Sequence, residues 1–224
     1  MLRSVYSFLM PPSRSTIGVL ISGGVDSAVL LDRLLRQGCR VQPIYVRCGF
    51  RWEAAELRHL RRLLHALHRK ALKRLMILDV PLRSAYGPHW SFGGARVPGA
   101  RSTDAAVYLP GRNALLLSHA AVACAQRGID HLALGILKSN PFGDASPQFL
   151  RQMASALTLA LGRRVRILTP LRQMSKARVI QSGRGVPLAL TFSCINPRGD
   201  RHCGMCNKCA ERQRAFRQTG LRPS

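Results

Sequence analysis

The run Ser22-Gly23-Gly24-Val25-Asp26-Ser27 decides how this 224-residue chain is read. The apolar stretch Ile17-Gly18-Val19-Leu20-Ile21 before it predicts a strand. The run from Ala28-Val29-Leu30-Leu31 to Leu34-Leu35 after it predicts a helix. Strand, glycine turn and helix place backbone N–H groups and a positive helix end around a phosphate. Gly23 and Gly24 admit positive φ and close approach of a ligand. Ser22 and Ser27 add hydroxyl donors. Asp26 accepts only when ionised, so it suits a bridging Mg2+ or a helix cap better than direct phosphate contact. No Gly-Lys-Ser/Thr ending follows, which excludes a Walker A loop, and the pattern is not the G-x-G-x-x-G of dinucleotide folds. The plain alternative is a glycine-rich strand-to-helix turn capped by serine and aspartate.

Outward from the loop, strand and helix patterns alternate. Gly38 closes the first helix. Val41–Val46 predicts a second strand, with Pro43 expected at a sheet edge or strand start. From Trp52 to about Leu72 the spacing predicts a helix, with Leu57, Leu60, Leu64 and Leu67 on one face. Arg58, Arg61, Arg62, Arg69 and Lys70 mark its other face, read as solvated rather than as a binding surface. Leu75–Val80 is the third strand. Residues 81–112 are rich in Gly, Pro, Ser and aromatics, and a loop this long suggests a lid. Within it, His89 and Trp90 are candidates to stack on a base, or plain packed aromatics. An alanine-rich helix then runs to Gly128, its small face implying close packing on the sheet. His131–Leu137 is the fourth strand. Ser146-Pro147 opens a helix to about Leu161. Val165–Leu168 is the fifth strand, and Ser175 caps a short helix carrying Lys176. The alternation predicts an α/β fold, a parallel sheet with helices on both faces.

The formal net charge is +25, from 35 basic and 10 acidic residues, so an anionic partner is expected; nucleic acid is one candidate, and a solvated arginine-rich surface is the alternative. No apolar run reaches the roughly 20 residues of a membrane span. Residues 1–15 imitate a transit peptide but are read as a flexible tail or an upstream start. The nucleotide-binding α/β domain is expected over residues 16–190 and a cysteine-bearing segment over 191–224. Cys194, Cys203, Cys206 and Cys209 fall close together, and no secretory pattern precedes them, so a reducing, cytoplasmic setting is expected. Four thiolates suit a closed, tetrahedral Zn2+ site; an iron–sulfur centre and a redox C-x-x-C pair are weaker alternatives. His202 is a spare ligand candidate.

The hexapeptide resembles the PP-loop of the N-type ATP pyrophosphatases. With Leu-Pro-Gly-Arg-Asn at 109–113, Leu-Gly at 134–135, Thr-Pro-Leu at 169–171, Ser-Lys-Ala at 175–177, Val-Pro-Leu-x-Leu-Thr-Phe-Ser-Cys at 186–194 and the remaining cysteines, it is similar to the 7-cyano-7-deazaguanine synthase family, QueC or ExsB. The resemblance spans roughly residues 16–217 and implies an adenine-nucleotide α-hydrolase-like fold. It also implies an ATP-dependent C–N ligase in queuosine biosynthesis. Such an enzyme adenylates 7-carboxy-7-deazaguanine, makes an amide with ammonia and activates the amide with a second ATP to give the nitrile. AMP and pyrophosphate are released, Mg2+ is required, zinc is structural, and a homodimer is common. An alternative is a PP-loop enzyme adenylating tRNA, another macromolecule or a different heterocyclic acid. Carried over by position, Ser22, Gly23, Gly24, Val25, Asp26, Ser27, Arg112 and Asn113 hold the nucleotide and metal. Asp26, Ser27 and Lys176 are the catalytic candidates, and Asn113 and Asp144 face the substrate. The family's substrate loop reads Asp-Tyr-Ser-Gly-Tyr-Pro-Asp-Cys-Arg-Pro-Glu-Phe. Here the stretch from Lys138 to Phe149 keeps Asp144, Pro147 and Phe149 but has Ala145, Ser146 and Gln148 at the cysteine, arginine and glutamate positions, the pattern of a divergent member.

Overall fold

Thr16–Leu20 forms β1, and its alternating side chains divide the molecule into two helical layers. The computed structural model describes residues 15–93, 95–183 and 185–221. Of the expected tail at 1–15, only Ser15 lies within these residues; its carbonyl accepts from Arg40 N–H at 2.9 Å. After β1 come α1 (Val25–Arg36), β2 (Arg40–Arg47), α2 (Glu53–Ala66), β3 (Met76–Asp79), α3 (Arg83–Tyr86) and α4 (Trp90–Gly93). Then follow α5 (Arg112–Ala125), β4 (His131–Ala133), α6 (Pro147–Leu161), β5 (Arg166–Leu168), α7 (Lys176–Ser182) and α8 (Asn207–Thr219).

The strands pair in parallel in the order β3-β2-β1-β4-β5. Ile17, Val19, Val41 and Tyr45 share one core with α1, α2, α7 and α8. Ile44 and Leu132 share the other with α5 and α6. The parallel sheet with helices on both faces is therefore as the periodicity predicts. The small face of α5 does pack closely: a Cβ added at Gly18 would lie 2.8 Å from Cys124 Sγ and 2.9 Å from Leu132 Cδ2. The caps read from sequence also form, since Ser146 accepts from Phe149 N–H and Ser175 from Arg178 N–H.

Pro43 departs from expectation. It sits inside β2, paired with Val19, and β2 lies between β1 and β3. Val41 exchanges bonds with Ala71 and Lys73, so alternation turns the nitrogen of Pro43 toward the β3 side. Regular pairing with β3 begins only at Ile44. Proline thus falls in a gap of the ladder, and Gln42 Nε2 bridges that gap by donating to Arg74 O at 2.7 Å. Two other segments are shorter than predicted. The second helix ends at Ala66, because the chain must turn back for Leu72 to bridge Val41. The fourth strand ends at Ala133, and Leu134, Gly135 and Ile136 leave it to line a pocket. The stretch 81–112 is not structureless: it holds α3, α4 and a 3-10 turn at Asp104–Val107.

Candidate active site

The chain reverses direction across the sheet at β1, which has β2 on one side and β4 on the other. A crevice beyond the strands' carboxyl ends at such a point is where open α/β sheets bind ligands. Here it is a cavity of about 380 Å3 lined by Ser22, Gly24, Val25, Asp26 and Ser27. Gly23, at φ +78, makes the turn, and its carbonyl accepts from Phe192 N–H at 2.9 Å. Ser27 Oγ donates to Gly24 O at 3.1 Å, so that donor is spent within the loop. Val25 is buried, leaving its backbone to meet a ligand. Gly24 is the N-cap of α1 with no side-chain cap bond, so Asp26, in the first turn, is not a cap. A Cβ at Gly135 would lie 3.2 Å from Asp26 Cβ and Ser27 N, so the β4 exit presses on the loop.

Asp26 Oδ2 accepts from Lys176 Nζ at 2.7 Å, whereas its Oδ1 is buried without a hydrogen-bond partner. An orphaned carboxylate oxygen beside a glycine turn at a helix N-terminus is a donor of the kind Mg2+ takes. Lys176 also lies 3.3 Å from Glu211 Oε1, and Glu211 Oε2 accepts from Lys208 Nζ at 2.8 Å. Burial would lower the Lys176 pKa, but Asp26 and Glu211 outweigh it and raise it. Burial would likewise raise Glu211, yet the two lysines hold it at about 2. Arg212, beside them, is buried, donates to Thr191 Oγ1 at 2.6 Å and to Leu188 O at 3.0 Å, and lies over the Phe216 ring.

Across the cavity stand Arg112, Asn113 and Asp144. Asp144 Oδ2 accepts from Asn113 N–H at 3.0 Å, capping α5, while Asn113 Nδ2 donates to Asp144 O at 3.1 Å. Asp144 Oδ1 is buried and unpartnered. Among the described residues no hydrogen bond or ion pair engages the Arg112 guanidinium; a surface acid does not claim it. Trp90, Tyr108 and Phe142 add flat walls, with Tyr108 stacked on Phe142 at 4.4 Å and Trp90 on Trp52 at 5.7 Å. His89 does not reach the cavity; it packs on Trp90 and bonds Ser91 Oγ.

At the cavity floor Tyr45 OH donates to Glu56 Oε2 at 2.7 Å. Burial pushes the Glu56 carboxyl up to about 8. The folded chain therefore holds a proton that the unfolded chain releases near pH 4.5, and stability falls as pH rises from there to about 8. Glu56→Gln keeps a neutral partner for Tyr45 and removes this term. The variant is expected to match the parent near pH 5 and to exceed it increasingly toward pH 8, read as denaturant midpoints across that range. A constant offset at every pH would show Glu56 ionised throughout.

The four cysteines converge. The sulfurs of Cys194, Cys203, Cys206 and Cys209 all lie within 4.8 Å of one another, with Cys194–Cys206 and Cys203–Cys209 each at 3.9 Å. A tetrahedron with Zn–S of about 2.3 Å has sulfur–sulfur edges near 3.8 Å, so the set fits a bound metal ion. Backbone N–H groups of Asn196 and Cys203 donate to Cys194 Sγ, and that of Cys206 to Cys203 Sγ, as thiolates require. His202 is not part of the set: its Nε2 accepts from Ser193 N–H and its ring packs on Phe192 at 4.6 Å. Asn207 ties the cysteine loop to the 81–112 stretch through Pro98 O and Ser102 O.

The model of the family described as "Queuosine biosynthesis protein QueC" matches residues 16–220. The chain belongs to the QueC family. It is 30% identical to the 7-cyano-7-deazaguanine synthase of Leptospira interrogans serovar copenhageni, over 98% of this chain and 93% of that one. It is 31% identical to the 7-cyano-7-deazaguanine synthase of Anaeromyxobacter sp. (strain Fw109-5), over 91% and 92%. A Methanocaldococcus jannaschii structure described as a "predicted subunit of tRNA methyltransferase" shares the fold, with TM-score 0.50, 13% identity and coverage of 93% and 90%.

Against this QueC framework, the PP-loop, Lys176, Arg112, Asn113 and Asp144 come together at one cavity, although they are far apart in sequence. Lys208, Glu211, Arg212, Tyr45 and Glu56 line it too, unforeseen. For Glu56 and Glu211 the signal was compositional: in a chain with 10 acids against 35 bases, each acid is rare enough to ask where it goes.

Proposed function

We propose that this QueC-family chain is an ATP-dependent nitrile synthase acting on a flat carboxylated heterocycle. The first candidate conversion is 7-carboxy-7-deazaguanine to 7-cyano-7-deazaguanine, in queuosine biosynthesis. The observation that carries the reading is the convergence of the PP-loop with Lys176, Arg112, Asn113 and Asp144 around one cavity. The names of the curated relatives support the product.

In this reading the backbone of Ser22 to Ser27 cradles the phosphates, and Lys176 neutralises charge there. Mg2+ supplies further neutralisation when bound, and Asp26 Oδ1 is the oxygen that would hold it. The substrate carboxylate attacks the α-phosphate, pyrophosphate leaves, and ammonia displaces AMP from the acyl carbon to give the amide. A second round on the amide oxygen ends with loss of AMP and formation of the nitrile. The chain's share is positioning, exclusion of water and fixed charge. Residues 16–190 form the nucleotide-binding domain and 191–224 a Zn2+-bearing segment with its C-terminal helix, in a cytoplasmic enzyme, as a homodimer. Nitrogen is favoured over sulfur as the incoming atom. The thiol at the cavity outside the metal set, Cys48, is pushed up to about 12 by burial and does not supply a ready thiolate.

One observation favours the macromolecular alternative. Asp26, Glu53, Glu56, Asp144 and Glu211 line the cavity and Asp32 is buried, so arginine dominates the outside. AMP release is measured with a panel of heterocyclic acids and with tRNA, and products are identified by mass spectrometry. A deazapurine acid is expected to stimulate release. Asp144→Asn is expected to lower kcat/KM for the acid by about 10- to 100-fold with the KM for ATP little changed, as when a hydrogen bond to a charged group is lost. Release stimulated by tRNA alone would overturn the small-acid reading.

A further inference from the structure

Resting on the nucleotide reading above, we propose that Lys208, with Glu211 as its tether, forms a second clamp for the β- and γ-phosphates of ATP and for the departing pyrophosphate. Both residues lie in the first two turns of α8, and both line the cavity that holds the PP-loop. Glu211 spans the two ammonium groups, 3.3 Å from Lys176 and 2.8 Å from Lys208. Lys176 in turn reaches Asp26 at 2.7 Å, so one carboxylate links Lys208 to the loop itself.

The chemistry follows from donor counting. An ammonium group has three N–H donors and no acceptor. Lys176 directs two toward carboxylates and keeps one; Lys208 directs one toward Glu211 and keeps two. A phosphate oxygen arriving between them meets both cations without breaking the tether. Asp26 and Glu211 neutralise the lysines before the ligand arrives, which keeps two like charges together at the cavity wall. Arg212, the adjacent cation, is buried and pinned at both terminal nitrogens by Thr191 Oγ1 and Leu188 O, whereas Lys208 is held by Glu211 alone among the described residues and is partly exposed at the cavity. AMP lacks the outer phosphates and so serves as the ligand that this clamp does not address.

The test compares ligands that do and do not carry the outer phosphates. Calorimetric titration with inorganic pyrophosphate, ATP and AMP is run on the metal-loaded full chain and on Lys208→Met and Lys208→Arg. Lys208→Met is expected to weaken pyrophosphate and ATP about tenfold or more, as befits loss of a charge-assisted contact, and to leave AMP unchanged. Lys208→Arg is expected to recover most of that loss. Metal content is measured alongside, because Cys209 is the next residue. Equal pyrophosphate affinity in parent and Lys208→Met would overturn the clamp while leaving the nucleotide site standing. Loss of metal with all three ligands weakened together would overturn it too, making Lys208 part of the cysteine loop. A parent that binds neither ATP nor pyrophosphate would remove the nucleotide reading and the clamp with it.

Discussion

Asp26→Ala is expected to reduce ATP–pyrophosphate exchange and AMP formation by about 10²- to 10³-fold or more, to the point of apparent loss, in a protein that still folds. The magnitude is that of removing one fixed group from a charge-stabilising site. Two features concentrate it in catalysis. Oδ1 has no protein partner to lose, and Oδ2 serves Lys176 alone among the described residues. Lys176 keeps Glu211, so the substitution does not strand a cation beside the loop. The expected cost in stability is about 1 kcal/mol or less, the scale of a partly exposed ion pair. Exchange kinetics read beside a circular-dichroism melt separate the two effects. Parent-like turnover in the folded variant would remove Asp26 from the mechanism.

Cys206→Ala carries the largest expected effect on stability. The parent is expected to hold one zinc per chain by elemental analysis. The variant should lose most of it and melt more than about 10 °C lower, because structural zinc binding is folding free energy and about 1 kcal/mol moves a domain of this size by 2–4 °C. Cys206 is also the N-cap of α8, and the helix it starts contributes Ala215 and Phe216 to the core beside α1 and α7. The loss should therefore spread from the cysteine loop to the layer beneath the phosphate loop. A stable parent without metal, or an oxygen-labile iron chromophore, would overturn zinc.

What sequence made legible was whatever is local. The strand–loop–helix unit from 16 to 36, the caps at Ser146 and Ser175 and the cysteine spacing each depend on neighbours within a few residues. Pairings across the chain were not legible from pattern. Asp26 and Lys176 are 150 residues apart, and only family resemblance brought Lys176 forward. Tyr45 read as a strand residue and Glu56 as a helix residue; their bond exists because β2 and α2 meet at the cavity floor. Glu211 and Lys208 were hidden inside a segment read for its thiols alone. Pro43 failed as an edge marker because a side-chain amide, which periodicity does not weigh, bridges the break in the ladder.

The bond from Phe192 N–H to Gly23 O also sets an order on manufacture. Chains are made from the N-terminus, so the phosphate loop leaves the ribosome early, while Lys176, the segment seated on Gly23 and the cation-bearing turn of α8 emerge late. A chain stalled before Cys206 already carries the loop, Lys176 and Phe192 but lacks Lys208 and Glu211, which complete the ion-paired wall beside Lys176.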